Sequence, residues 1–248
     1  MANGARDCVI VVQPEGVRIP GYVVDFESFR SWVRSPEFPE KGRIDWIDME
    51  LEVDMSPEKL NSHGAPKAAV AGDLRTFVEG RDLGVVYVDR ARVSVPLGRL
   101  SAEPDVTVIF FDSVTSGRVR LVPDAAGGDT VEIEGPPDLV VECVSDSSEK
   151  KDLERLREAY WQAGVPEYWL VDARGEELRL TLLRRDATEY AEVAPGSDGF
   201  TASPQLGISV RLVRLTPRAG LVRYRLEARA EHENDFEPEH EHATATEG

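Results

Sequence analysis

The stretch Pro137–Asp172, PDLVVECVSDSSEKKDLERLREAYWQAGVPEYWLVD, decides the fold. Its opening, DLVVECV, is almost continuously apolar, the pattern of a strand covered on both faces. Side chains alternate along a strand. Leu139, Val141 and Cys143 therefore share one face, and Val140, Glu142 and Val144 share the other. The next residues change to helical spacing: Ser147 or Ser148 suits the N-cap, and Glu149 and Asp152 suit the first turn. Leu153, Leu156, Tyr160 and Ala163 form one stripe, and Gly164 stops the helix. EYWLVD is a second apolar strand. A helix this short between two such strands predicts that 138–144 and 167–171 are parallel neighbours joined by a right-handed crossover.

Working outward, CVIVVQPEGVRIPGYVV (8–24) reads as extended, and a short helix is predicted over Phe26–Val33 with Asp25 as N-cap and Glu27 in its first turn. GRIDWIDMELEVDMSP (42–57) alternates like two strands meeting near Asp48–Met49. Pro57 then suits a first helical turn, followed by Ala69, Val70, Leu74, Phe77 and Val78 at helical spacing. GVVYVD, ARVSVPL, PDVTVIFFD and VEIEG read as strands, with a turn-rich insertion at 122–130. LRLTLLRRD, YAEVAP and GISVRLVRL read as a closing set of strands. The pattern is a mixed α/β fold with a central sheet flanked by helices.

Charge and composition narrow the function. The 248 residues carry a formal net charge of −17, and 41% are hydrophobic, enough for one good-sized core. Seven acidic residues and no lysine or arginine follow Ala230, so residues 1–230 still carry −10. That balance argues against coating nucleic acid by bulk charge, and any phosphate contact must come from a local basic surface. No apolar run is long enough to span a bilayer and no secretory pattern opens the chain, so a cytoplasmic protein is expected. Cys8 and Cys143 sit in apolar contexts and read as small buried hydrophobes. Residues 231–248 have charge without apolar periodicity and are expected to be disordered. In them His232, His240 and His242 could loosely chelate a transition metal or serve a protein contact.

An ionised carboxylate inside a buried strand is costly unless something pairs with it. Glu142 could be satisfied by an internal arginine, or could be a metal ligand or acid/base group. A second carboxylate in a matching context, Asp105 at the entrance of EPDVTVIFF, favours the metal. Mg²⁺ takes oxygen ligands, often one or two carboxylates with water and substrate phosphate. The main-chain carbonyl of Cys143 could join them. Such a site would activate a water against a phosphodiester.

These residues resemble the Uma family of restriction endonuclease-like proteins, within the PD-(D/E)XK nuclease superfamily. PPDLVVECVSDSS…DLERLREAYWQAGVPEYWLVD is similar to its core signature, RIDWIDMELEVDMSP to its opening strand pair, and EPDVTVIF to its first acidic strand. The resemblance runs from about Gly42 to Asp172 and more weakly to about Leu215. It implies a restriction endonuclease-like core that binds Mg²⁺ (or Mn²⁺) through Asp105 and Glu142, acts on DNA, and pairs as a homodimer. Asp45, Asp48 and Glu50 lie where the family places acidic residues, and ordinary hairpin polarity also accounts for them. His63 matches the family's histidine after the MSP turn. It could touch substrate or metal, or be a polar surface residue.

One position departs from the pattern. The family carries a lysine midway between Asp152 and Tyr160, and here that position is Leu156. Leucine can neither orient the attacking water nor stabilise developing negative charge. Arg155 and Arg157 flank it about 100° to either side on an ordinary α-helix. Lys150 and Lys151, near the helix start, are the candidates to replace the missing lysine. The sequence thus leads to a Mg²⁺-dependent DNA endonuclease, or to a degenerate nuclease fold that binds nucleic acid or a protein without cutting. The expected layout is an extension at 1–41 packing on a nuclease domain at 42–230, then the acidic tail.

Overall fold

The structure, a computed structural model, describes residues 9–12 and 16–230. The expectations for Cys8 and for the tail with His232, His240 and His242 lie outside the described residues.

The chain opens with a two-stranded ribbon, β1 (Val9–Val12) and β2 (Val17–Pro20), followed by α1 (Phe26–Val33). Asp25 caps α1, accepting the Ser28 amide at 2.8 Å, while Ser28 Oγ accepts the Asp25 amide at 3.0 Å. Next, β3 (Arg43–Ile47) and β4 (Glu50–Asp54) form a hairpin whose two turn residues, Asp48 and Met49, both have positive φ. A π-turn over Leu60–Gly64 leads into α2 (Ala65–Val78). Pro57 lies outside the helix, contrary to its predicted place in the first turn; Pro66 occupies that position instead.

Strands β5 (Gly84–Val88), β6 (Val93–Val95), β7 (Leu100–Ala102) and β8 (Val106–Phe110) come next, then the short α3 (Phe111–Thr115). β9 (Arg120–Pro123) and β10 (Thr130–Glu134) flank the turn-rich insertion. The decisive unit comes after them: β11 (Leu139–Cys143), a π-turn over Lys151–Arg155, α4 (Leu156–Ala163) and β12 (Glu167–Asp172). β13 (Arg179–Arg185) and β14 (Tyr190–Glu192) extend the sheet. β15 (Thr201–Ser203), β16 (Ile208–Arg218) and β17 (Leu221–Ala230) form a separate antiparallel sheet.

The central sheet has the order β14-β13-β12-β11-β8-β5. β11 and β12 pair in parallel, as the sequence predicts, and β11 pairs antiparallel with β8. The alternation in β11 is realised on both faces. Leu139, Val141 and Cys143 pack in a cluster with Val70, Leu74 and Phe77 of α2, and Val140 and Val144 pack in another with Leu156, Tyr160 and Ala163 of α4. Glu142 thus points to the α4 side. A second six-stranded sheet, β4-β3-β7-β6-β10-β9, carries Arg43 and Asp45. Its Ile44 and Trp46 bury Val17, Phe26, Phe29 and Trp32 of the N-terminal segment.

Two helix expectations need correcting. Leu153 is exposed rather than in the buried stripe, because the π-turn inserts an extra residue and rotates the face it presents. Ser148 precedes the helix, but its hydroxyl donates to the Asp152 carboxylate and accepts the Ser145 amide, so it caps no helical backbone group.

Candidate active site

Two buried carboxylates meet where β8 and β11 run side by side. Asp105 immediately precedes β8 and is wholly buried, and Glu142 in β11 is 1% exposed. Asp105 Oδ2 accepts the Cys143 amide at 2.8 Å, and Glu142 Oε2 accepts the Asp105 amide at 3.4 Å. Each acid is therefore anchored to the other's strand. The Tyr160 hydroxyl, one helix away, donates to Glu142 Oε1 at 3.0 Å and fixes the carboxylate plane.

Three basic groups reach this pair, from β3, the first π-turn and α2, and a fourth, Lys151, stands near it. Arg43, at the start of β3, places one guanidinium nitrogen 2.7 Å from Asp105 Oδ1 and another 3.9 Å from Glu142 Oε2. From the π-turn before α2, His63 puts Nε2 3.3 Å from Asp105 Oδ2 and Nδ1 2.8 Å from Glu58 Oε1. Four residues on and one helical turn away, Lys67 Nζ contacts Glu58 and Asp89 at 2.7 Å and lies 3.9 Å from Asp105 Oδ1. Lys151, in the second π-turn, is 4% exposed and lies 3.6 Å from Asp45 Oδ2.

The electrostatics follow from burial and neighbours. Burial alone would raise the Asp105 carboxyl, but the His63 hydrogen bond and the Arg43 charge outweigh it and hold the group well below the usual carboxylate range. Glu142 goes the other way: burial, then the nearby Asp105 and Asp152 charges, push it well above its ordinary value. Burial likewise pushes Asp152 up to about 7, opposed by Lys151 and the Ser148 hydrogen bond. Burial acts to lower Lys151 and His63, yet the facing carboxylates win and both stand above their ordinary values. Lys151 is thus held as an ammonium, a cation and proton donor rather than a base. The Cys143 thiol is pushed well up by burial and is no nucleophile.

The sequence-predicted residues divide clearly. Asp105 and Glu142 come together; Cys143 lies beside them with its amide, not its predicted carbonyl, on Asp105, and Lys151 stands against Asp45 with Glu142 acting on its charge. Lys150 does not join them: it is exposed, and its side chain forms no ion pair or hydrogen bond among the described residues. Asp45 is buried and accepts the Glu103 amide, whereas Asp48 and Glu50 are exposed. Arg155 pairs with Glu50 and Glu52, and Arg157 donates to the Tyr190 carbonyl. Leu156 is a core residue, 1% exposed. His63 is buried against Asp105, so the surface alternative does not hold.

Arg43 and Lys67 were missed. Both had a signal: Arg43 is two residues before Asp45 and so shares its strand face, and Lys67 is one helical turn beyond His63. Above these groups a cleft of about 600 Å³ opens, lined by Arg43, His63, Lys67, Lys59 and Ser145–Ser148. Arg43 belongs both to this lining and to the acid pair beneath it.

Among the described residues no three His, Cys, Asp or Glu side chains form a cluster that could hold a metal by themselves. The donor chemistry nevertheless fits a hard cation that keeps some water. Two carboxylates converge, and Asp152 Oδ1 is buried without a hydrogen-bond partner. Four buried carboxylates (Asp45, Asp105, Glu142, Asp152) face Arg43, Lys67, Lys151 and His63. Arg43 now provides the positive charge between Asp105 and Glu142, so a metal ion there requires the guanidinium to turn out into the cleft.

Residues 26–216 match the family Uma2, described as "Putative restriction endonuclease". The fold is similar to that of a solved structure described as "a putative nuclease" from Anabaena variabilis. The TM-score is 0.55 at 15% identity, with 74% of this chain and 90% of that chain covered. No curated protein matches the chain. Among the described residues no helix is long and apolar enough to cross a membrane.

Proposed function

The chain belongs to the Uma2 family, and from that premise we propose that it is a divalent-metal-dependent endonuclease that hydrolyses phosphodiester bonds of DNA at the cleft above Asp105 and Glu142. The observation that carries the reading is the meeting of these two buried acids with a buried, charged Lys151 close by. Asp105 and Glu142, joined by the Cys143 carbonyl, are the residues that would hold Mg²⁺ or Mn²⁺. The ion would supply Lewis-acid activation of a water and of the scissile phosphate.

The remaining work belongs to the chain's own groups. Tyr160 and the Asp105 amide fix the Glu142 carboxylate, so no reorientation is needed when substrate arrives. Attack of a water on phosphorus and departure of the alkoxide build negative charge on the phosphoryl oxygens. The Lys151 ammonium, the replacement for the lysine absent at Leu156, faces that charge and orients the water. His63, its imidazole raised above its ordinary value between Glu58 and Asp105, helps keep Asp105 ionised. The reading includes a cytoplasmic location and a homodimer, since cutting both strands of a duplex takes two such sites.

Arg43 favours a second reading: a chain in which an arginine has taken over the cation's place and which binds nucleic acid without cutting. Incubating purified protein with supercoiled plasmid and Mg²⁺ or Mn²⁺ separates the two. Nicking or linearisation that disappears in Glu142→Ala and Lys151→Met supports the endonuclease. Absence of cleavage by the wild type, or cleavage that persists in Glu142→Ala, refutes it.

A further inference from the structure

An acidic protein that acts on DNA needs a local surface of opposite sign, and one is built into the hairpin of β16 and β17. Between Phe200 and Leu226 there are five arginines and no aspartate or glutamate. The arginines at the base of the hairpin are already paired: Arg211 with Glu227, and Arg229 with Asp198, both also lying over the Phe200 ring. Toward the tip the situation changes. Arg214, Arg218, Arg223 and Arg225 are all exposed, and none has a carboxylate partner among the described residues.

Strand register sets where these groups face. Leu212 pairs with Leu226 and Val210 with Ala228, and this face, with Tyr224, is buried against α2. Val213 pairs with Arg225 and Leu215 with Arg223, so both arginines stand on the opposite, outward face. Arg218 lies at the turn, paired with Leu221.

The hairpin also runs toward the side of the molecule that carries the cleft. The Leu226 amide donates to Asp73 midway along α2, whereas the Tyr224 hydroxyl donates to the Asn61 carbonyl, in the same π-turn as His63. Moving toward the tip of the hairpin therefore means moving toward the N-terminal end of α2, where His63 precedes the helix and Lys67 lies in its first turn. On the other side Arg214 donates to the Gly175 and Glu176 carbonyls, and neighbouring Arg174 reaches Asp146 on the cleft rim.

We propose that the tip of this hairpin, through Arg218, Arg223 and Arg225, grips the sugar-phosphate backbone of duplex DNA and leads one strand toward the cleft over Asp105 and Glu142. The proposal rests on reading that cleft as a nuclease site. Arginine suits the role because it stays charged and offers forked donors to phosphate oxygens. At physiological salt the Debye length is about 8 Å, so distant negative charge on the rest of the chain does little to oppose a contact made at the tip.

The test is fluorescence anisotropy of a labelled duplex with EDTA present, so that nothing is cut, across a salt series. Arg218→Ala/Arg223→Ala/Arg225→Ala is expected to lose at least about tenfold in affinity and to lower the salt slope by about 2 to 3. The corresponding triple lysine variant should retain most of the binding, and Arg211→Ala/Arg229→Ala should change it little. Wild-type affinity in the triple alanine variant, or no duplex binding by the wild type, overturns the proposal. So does a wild type that binds anionic phosphatidylserine vesicles in preference to duplex, with the triple alanine variant losing only the vesicles. Plasmid cleavage is scored separately. Hairpin-dependent binding without cleavage upholds this surface and refutes the nuclease reading, and cleavage with unaltered binding in the triple variant does the reverse.

Discussion

Arg43 stands between two carboxylates that cannot both remain ionised in a buried site without positive charge beside them. If a divalent cation is to take that place, the arginine competes with it. Arg43→Ala is therefore expected to bind Mn²⁺ at least about tenfold more tightly than wild type, read by titration calorimetry, since a pairing worth about 1.4 kcal/mol already gives that factor. Unchanged or weaker binding would mean that the guanidinium organises the site instead of blocking it. Asp152 gives a second prediction at this scale. Its carboxyl stands at about 7 in the folded chain against 3.8 for the free group, and it faces Lys151, Arg43, Asp105 and Glu142. A raised carboxyl contributes stability that is full below pH 4 and is lost as pH rises through 7. The wild type should thus lose stability over that window, by up to roughly 4 kcal/mol and less where neighbouring charges relax. Asp152→Asn should flatten the profile and melt higher than wild type at pH 8; a lower melting point at pH 8 would contradict this. Asp105 and Glu142 were legible because a carboxylate in an apolar strand is conspicuous. Arg43 carried a signal only as the neighbour of Asp45 on one strand face; that strand belongs to a different sheet, and only tertiary packing brings the arginine to Asp105.

Both π-turns among the described residues lie at the site, and each delivers a basic group to it: His63 from Leu60–Gly64 and Lys151 from Lys151–Arg155. A π-turn holds one residue more than the α-helical turn it replaces, so it shifts the helical phase of the residues on one side relative to those on the other. That phase shift explains why Lys151 points inward, Leu153 outward, and Leu156 into the core with Tyr160 and Ala163. Deleting exposed Leu153 should restore ordinary helical phase and swing Lys151 away. Cleavage should fall by at least about a hundredfold, the scale of one lost transition-state donor, with far-UV circular dichroism nearly unchanged. Retained activity would show that Lys151 is not the operative cation. By the same reasoning Leu156→Lys should not raise the cleavage rate. It puts an ammonium into an apolar cluster and should lower the melting temperature. The strand-helix-strand unit was readable at this scale, since apolar runs and Gly164 mark its limits. Its first turn is not, because 3.6-residue spacing does not describe a π-turn, and the same spacing leaves Lys150 and Lys151 undistinguished.

For the molecule as a whole, the sequence foretold a mixed sheet with β11 and β12 parallel at its centre, and the fold agrees. It did not reveal β17, although Tyr224 and Leu226 alternate with Arg223 and Arg225 as a half-buried strand should. Charge is the property to test at this scale. Removing residues 231–248 takes the net charge from −17 to −10, which should strengthen duplex binding at low ionic strength and make no difference at about 1 M salt, where the Debye length is near 3 Å. A truncated chain that binds no better at low salt would show that the acidic segment does not weigh on the encounter. The central claim is that Asp105 and Glu142 are the metal-binding pair of a nuclease. A crystal structure with Mn²⁺, using anomalous scattering to locate the ion, addresses it most directly. The account predicts one strong peak bound by Asp105 and Glu142, with the Arg43 side chain withdrawn into the cleft. No peak there, with Arg43 still paired to Asp105, would contradict it.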